Sequence, residues 1–515
     1  MKKLTRHFMA ILLSLVMVMA MGMTAFAEET SAGNNNGNAP TSTYKLTLNG
    51  TSTGHTYEVY QIFTGDLSTN AEGKKVLSNV KWGNGVTASS TEKAEDVAKG
   101  LTDGTKKLDE FVDGLQLTIS AKTVESTQGN TVIDGLAAGY YLVKDKDGTQ
   151  ANTSDAYTKF IVQVVGDTEA AIKSDVPTVE KKVKDTNDST GETSGWQDSA
   201  DYDFGDDVPY QITGTMPDNI ADYKTYKYMF TDTMSKGLTY TANNVTIKIG
   251  EKDVTSSFKE VVTPNENGST TVTWTCNNLK EIEGVTLDKN TTVVVNYTAQ
   301  LNKNAVLGSA GNPNTVNLTY SNNPNKGGEG ETGTTPEDKN IVFTYKVVVN
   351  KVDQDNKSLK GAAFKLQKKV KATDGKTEYK DVKSFTAGEE ITFEFSGLDD
   401  GDYKLTETTT PDGYNTITPI EFTISATHDE TADKPELISL EANTTGNGTT
   451  DATTGLITFT AKTADGSLTT DVVNKKGSTL PSTGGSGTKL LYIGGAILAV
   501  TAGTVLVLKK KMRNR

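Results

Sequence analysis

The chain has 515 residues, with 52 Lys and Arg against 65 Asp and Glu and a formal net charge of −13. Such an acidic balance repels polyphosphate and excludes nucleic acid as a partner, while the length allows two to four domains. One cysteine (Cys276) and three histidines exclude an internal disulfide framework and leave poor raw material for a Cys/His metal cluster or a histidine-based catalytic triad.

In chain order, residues 1–27 read as a secretory signal peptide. Lys2, Lys3 and Arg6 precede the apolar stretch Ala10 to Ala20, and Ala25, Phe26 and Ala27 have the form of a cleavage site. Residues 28–43 are polar and low in complexity, a flexible leader. From Tyr44 onward, short Thr/Val/Tyr-rich alternating runs are separated by Gly, Asn and Asp turns, as in Tyr44 to Leu48, Phe160 to Val165 and Thr291 to Tyr297; this predicts β structure. The spacing of Ala94, Val97, Leu101 and Leu108 predicts a helix within 91–114.

Composition breaks near Lys173 to Pro177 and over Ser321 to Asn340 divide the chain into blocks 44–175, 176–322 and 341–478, with 323–340 a linker. Each block has the length of a β-sandwich of short strands. The predicted fold is therefore all-β, three tandem immunoglobulin-like sandwiches. A weak internal repeat pairs Gly135 to Leu142 with Gly397 to Leu405. The C-terminal stretch holds Leu480, Pro481, Ser482, Thr483 and Gly484, then a Gly/Ser spacer, an apolar run over 490–508 and a basic tail over 509–515. That run, at about 1.5 Å per residue, nearly spans a ~30 Å hydrocarbon core, and the tail places its C-terminal end in the cytoplasm. Without the two terminal segments the net charge is about −22.

Strand phase singles out three ionisable or amide residues in the third block. Side chains alternate along a strand, so Lys351 shares a face with Val347 and Val349, Glu407 with Tyr403 and Leu405, and Asn474 with Val472. Burial favours the neutral amine of a lysine, which is nucleophilic, and the protonated form of a glutamic acid. Such an acid can hydrogen-bond the asparagine carboxamide, polarise it and pass a proton to departing ammonia. The product is a Lys–Asn isopeptide bond. In the middle block Lys181 shares a phase with Val179 and Val183, Asp232 with Phe230 and Met234, and Asn314 with Val316, Leu318 and Tyr320. Lys182, Asp222 and Asn312 stand close enough to compete for these places.

The third block resembles the Cna B-type domain through Lys351 to Asp353, Leu359 to Phe364, the segment ending at Pro411 to Tyr414, and Val472 to Asn474. The resemblance implies that Lys351 and Asn474 are bonded and that Glu407 is the catalytic acid. The order lysine, acid, asparagine in the middle block resembles the middle domain of Gram-positive backbone pilins. It implies a Lys181–Asn314 bond with Asp232 as catalytic acid. In the first block Asp145 falls where Glu407 falls in the repeat and Lys45 lies in an early strand. Its last strand, Phe160 to Val165, offers no asparagine, so this block is read as unbonded.

Residues 480–484 with the apolar run and basic tail resemble the cell-wall sorting signal of Gram-positive surface proteins. There a sortase cuts between Thr and Gly and joins the Thr carboxyl to an amine, which makes Thr483 the acyl donor. In backbone pilins the acceptor lysine ends the N-terminal domain. Lys173 has that position, although Ala171 and Ile172 replace the usual Tyr and Pro; Lys181, Lys182 and Lys184 are the fallback acceptors.

The resulting expectation is a structural subunit of a sortase-assembled pilus rather than an enzyme, its only catalysis being single-turnover and on itself. The expected partners are pilin-polymerising and housekeeping sortases, identical subunits in a covalent polymer, and peptidoglycan, with a host or matrix ligand left open. No cofactor and no metal are expected. The competing readings are a monomeric wall-anchored adhesin or a tip or base pilin, which need no acceptor lysine, and more remotely a surface glycosidase.

Overall fold

The computed structural model describes residues 42–70, 73–89, 91–149, 156–172, 176–372, 374–445, 457–477 and 486–513. The signal peptide and leader therefore lie outside the described residues. The chain divides into two compact units, one of residues 1–186, 193–344 and 428–438, the other of residues 187–192, 345–427 and 439–515.

In the first unit, the N-terminal block has a three-stranded sheet in the order Gly129–Leu136, Tyr44–Thr51, Thr168–Ala171. A second sheet runs Lys75–Trp82, Thr56–Thr69, Gly139–Asp145, Lys159–Val164, with Lys122–Glu125 also pairing Thr56–Thr69. Leu46, Leu48, Val59, Ile133, Val143 and Val162 pack between them. The long strand Thr56–Thr69 also supplies Ile62 and Phe63 to a second cluster with Val97 of a helix. The predicted helical region forms two helices, Ala94–Asp103 and Leu108–Gly114. The first ends at Gly104, whose φ of 78° is the left-handed cap that glycine adopts without a Cβ penalty.

The middle block is the larger sandwich. One sheet is ordered Ser199–Asp201, Asp338–Phe343, Asn312–Ser321, Tyr228–Met234, Thr270–Cys276, Lys259–Pro264, with Thr332–Thr334 attached to Asn312–Ser321. The facing sheet is Lys252–Asp253, Leu238–Ile249, Thr292–Leu301, Asp207–Thr215, Val179–Val183. Strict alternation builds the core: along Tyr228–Met234 the Tyr, Phe, Asp and Met are buried while Met229, Thr231 and Thr233 are half-exposed. The stretch 323–340 is more than a tether. It holds Thr332–Thr334 and the start of Asp338–Phe343, which pairs antiparallel with Asn312–Ser321 and parallel with Ser199–Asp201. The apolar run Ile341 to Phe343 lies just past the polar stretch, and its burial draws the preceding residues into the ladder.

The second unit also carries two sheets. The first is Thr392–Leu398, Tyr345–Asp353, Ser467–Asn474, Thr460–Lys462; the second is Thr377–Ser384, Ala363–Lys371, Gly401–Thr409, Ile420–His428, Leu437–Thr444. Tyr345–Asp353 and Ser467–Asn474 run parallel, with Lys351 opposite Val472 and Asp353 opposite Asn474. The fold is thus all-β apart from short helices and a helix over Ser486–Arg513. The expected span 490–508 falls in that last helix, but among the described residues no helix is long and apolar enough to cross a membrane.

Candidate functional site

In the middle block, strand phase brings three polar side chains into one apolar core. Lys181 enters from Val179–Val183, at the edge of one sheet, while Asp232 and Asn314 enter from neighbouring strands of the other. All three are 0 % exposed. Lys181 Nζ donates to Asp232 Oδ2 and, at 2.6 Å, to the Tyr297 hydroxyl. It also lies 5.1 and 5.0 Å from the ring centres of Tyr210 and Tyr297. The Tyr297 hydroxyl donates to Asp232 Oδ2 at 3.0 Å and accepts from Asn314 Nδ2 at 2.8 Å.

The second unit repeats the residue set with other geometry. Lys351 and Asn474 are 0 % exposed and Glu407 is 5 % exposed. The two Glu407 oxygens accept from Asn474 Nδ2 at 2.9 and 3.0 Å. Thr410 Oγ1 and the Ile417 amide each donate to Oε2 at 3.2 Å, which holds the carboxyl in place. Lys351 Nζ donates to the carbonyls of Val472 at 2.8 Å and Val352 at 3.1 Å, so its amine sits along the strand that carries Asn474.

Burial dominates the electrostatics of both places. It pushes the Lys181 ammonium pKa down and the Asp232 carboxyl up, and their mutual attraction only opposes this. The balance favours a neutral amine beside a protonated acid. Lys351 is pushed down to about 8, again by burial, with Glu407 and Asp353 working the other way. Among the described residues the carboxamide oxygens of Asn314 and Asn474 are buried without a hydrogen-bond partner. An unsatisfied buried carbonyl costs roughly 1–3 kcal/mol and marks both amides as places of unspent polarity. Chemically, each cluster sets an amine whose neutral, nucleophilic form burial favours against a carboxamide and a carboxyl group in a buried site, the requirements for amide exchange with loss of ammonia.

The competing residues have other partners. Lys182 points away from the core and binds Asp198 at 2.7 Å and Glu180 at 3.1 Å. Asn312 is buried, but its side chain closes the 306–312 turn by bonding the Val306 backbone at both its N–H and C=O, and it also donates to the Val342 carbonyl. Asp222 lies exposed in a short helical turn, and Lys184 stacks over Trp196 at 5.0 Å. In the N-terminal block Lys45 is solvent-facing beside Asp134, because Leu46 and Leu48 take the inward phase. Asp145 is buried and meets His55 Nδ1 at 2.8 Å. These partners are 90 residues apart, and no local sequence pattern announces the pair. Sequence reasoning also passed over Tyr297, which it used only as a strand marker. Lys173 and the donor residues Leu480, Pro481, Ser482, Thr483 and Gly484 lie outside the described residues.

Comparison with known proteins agrees with this architecture. Residues 204–324 match the family model of the Gram-positive pilin backbone subunit 2, Cna-B-like domain. Residues 345–436 match a prealbumin-like fold domain, and 472–514 match the LPXTG cell wall anchor motif. The chain thus carries the anchor motif of an exported, cell-wall-anchored surface protein, together with a middle domain similar to that of Gram-positive pilin backbone subunits. A curated relative is the trypsin-resistant surface T6 protein of Streptococcus pyogenes serotype M6, 26% identical over 547 aligned positions that cover 91% of this chain and 95% of the relative. The solved T6 backbone pilin of the same serotype, described as a modular three-domain structure, superposes with a TM-score of 0.51 at 18% identity, over 85% of this chain and 99% of that one. The full-length major pilin SpaD of Corynebacterium diphtheriae gives a TM-score of 0.47 at 18% identity, over 85% of this chain and 99% of that one.

Proposed function

We propose that the chain is the backbone subunit of a sortase-assembled surface pilus, internally tied by Lys181–Asn314 and Lys351–Asn474 isopeptide bonds. Asp232 and Glu407 act as the single-turnover acids in forming those bonds. A sortase joins the Thr483 carboxyl to Lys173 of the next subunit, and the last subunit is passed to peptidoglycan. The N-terminal block 44–175, the middle block 176–322 and the C-terminal block 341–478 are the three modules of that subunit.

The observation that carries this reading is the duplicated buried set of lysine, carboxyl and asparagine in one chain that also matches the wall-anchor motif. A buried ion pair is a poor source of stability, and well-packed apolar residues do as well or better. Two buried lysines, each beside a buried acid and an asparagine, are better accounted for by a reaction among them. The polymer is tested by immunoblotting wall extracts of cells that make the chain with its pilin sortase. A ladder of high-mass species is expected, collapsing to a single band in Lys173→Ala. A ladder unchanged in that variant removes Lys173 as the acceptor, and a single band for the unaltered chain removes the polymer.

A further inference from the structure

The two triads differ in one respect that the shared residue types do not explain. In the second unit both Glu407 oxygens touch Asn474 Nδ2 directly. In the middle block the acid is one methylene shorter, and among the described residues Asp232 makes no hydrogen bond to Asn314. The Tyr297 hydroxyl fills the gap: it is within 2.6 Å of the Lys181 amine, 3.0 Å of Asp232 Oδ2 and 2.8 Å of Asn314 Nδ2. We propose that Tyr297 is a catalytic residue of the Lys181–Asn314 reaction, the relay that passes a proton from Asp232 to the departing nitrogen. This inference rests on the isopeptide reading above and deepens it.

The step balances without any outside reagent. The Lys181 Nζ lone pair attacks Asn314 Cγ and the Nζ–Cγ bond forms. The Tyr297 O–H gives its proton to Nδ2, and the protonated Asp232 gives its own to the tyrosine oxygen. The carboxylate left at Asp232 then takes one proton from Nζ. The Cγ–Nδ2 bond then breaks and ammonia leaves, with Asp232 and Tyr297 restored. Before attack Nδ2 is a planar amide that donates to the tyrosine oxygen; once Cγ is tetrahedral, Nδ2 has a basic lone pair and accepts from the same hydroxyl. Tyr297 is held for this exchange by its neighbours. Its ring stacks on Tyr210 at 5.2 Å, meets Trp274 at 5.4 Å and takes the edge of Tyr240 at 5.7 Å. Burial keeps its hydroxyl far above the ordinary phenol range, so it begins the reaction protonated. The Tyr210 hydroxyl also lies beside the Asn314 side chain, without closing a hydrogen bond of ordinary geometry.

The test follows bond formation in the full chain after a short cell-free synthesis pulse, read by peptide mapping as the bonded fraction at each site. Tyr297→Phe keeps the ring and is expected to slow the Lys181–Asn314 bond on the order of 10²-fold, leaving the Lys351–Asn474 rate unchanged. Adding Asp232→Glu to Tyr297→Phe lengthens the acid so that it can reach Nδ2 itself, and should restore much of the rate. A purely structural role for the tyrosine would not be rescued this way. An unaltered rate in Tyr297→Phe, or a slow variant that Asp232→Glu leaves slow, overturns the relay. If the unaltered chain forms no Lys181–Asn314 bond at all, the isopeptide reading fails and the relay falls with it.

Discussion

Lys351 is a lysine whose environment sets the pH at which it can react. Burial holds its pKa down to about 8, against an ordinary value near ~10.4. Only the neutral amine attacks a carboxamide, so the reactive fraction rises as pH passes through that depressed value. The rate of Lys351–Asn474 bond formation in newly made chain should therefore climb about tenfold per pH unit below about 8 and level off above it. Following ammonia loss at a series of pH values checks this; a flat profile through that range, or a rise that continues to about 10, would show that the amine is not held as its burial implies. The same side chains show what phase can and cannot reveal. Alternation alone places Lys181, Asp232, Asn314, Lys351, Glu407 and Asn474 on inward faces, because each sits two residues from large apolar neighbours. It also admits Asn312, which is equally inward, and only the turn it closes removes it from the reaction.

At the scale of elements, the site depends on how strands are ended and joined. Asn314 is positioned by Asn312–Ser321, and the turn before that strand passes through Gly311 at φ 53° and ψ −164°, a region open essentially to glycine alone. A Cβ there would lie 2.4 Å from Ile341 Cγ2 and 3.0 Å from two Phe343 ring carbons. Gly311→Ala is expected to cost about 2–4 kcal/mol of stability from backbone strain and overpacking together. It should also slow the Lys181–Asn314 bond while sparing Lys351–Asn474. Denaturant unfolding and site-resolved peptide mapping measure both effects, and a variant as stable as the parent would count against the strained turn. The pairing of strands was the least legible part of the sequence. A window over 321–340 averages the polar turn residues with Asp338 to Asn340, the first half of a central strand, and so hides it. Periodicity reports which face a residue takes, but not which strand from a distant part of the chain will lie opposite. That is why Tyr297, inward by phase in Thr292–Leu301, gave no sign that its hydroxyl joins three polar groups from three other strands.

For the whole molecule, the proposed covalent ties would stand where an exported protein commonly uses disulfides. Cys276 is buried and alone, so no cystine is available within the chain. Each proposed Lys–Asn bond closes a loop of about 120 to 130 residues, which by chain entropy contributes about 4 to 5 kcal/mol. Position adds to this. Lys351 and Asn474 lie on adjacent parallel strands, the first and the last of their sandwich among the described residues, and Thr483 follows nine residues later in the sequence. A pull entering at Thr483 would meet the strand pair that the proposed bond ties before it reached most of that unit. In the middle block Lys181 and Asn314 lie on strands of different sheets, so the proposed bond would keep the sandwich from being parted without breaking an amide. The most direct measurement of this account is the intact mass of the mature chain, followed by mapping of the joined peptides. A deficit of two ammonia molecules is expected, one assigned to Lys181–Asn314 and one to Lys351–Asn474, with one deficit lost in Asp232→Ala and the other in Glu407→Ala. A mass equal to that of the unmodified sequence, or deficits that persist in both variants, would contradict it.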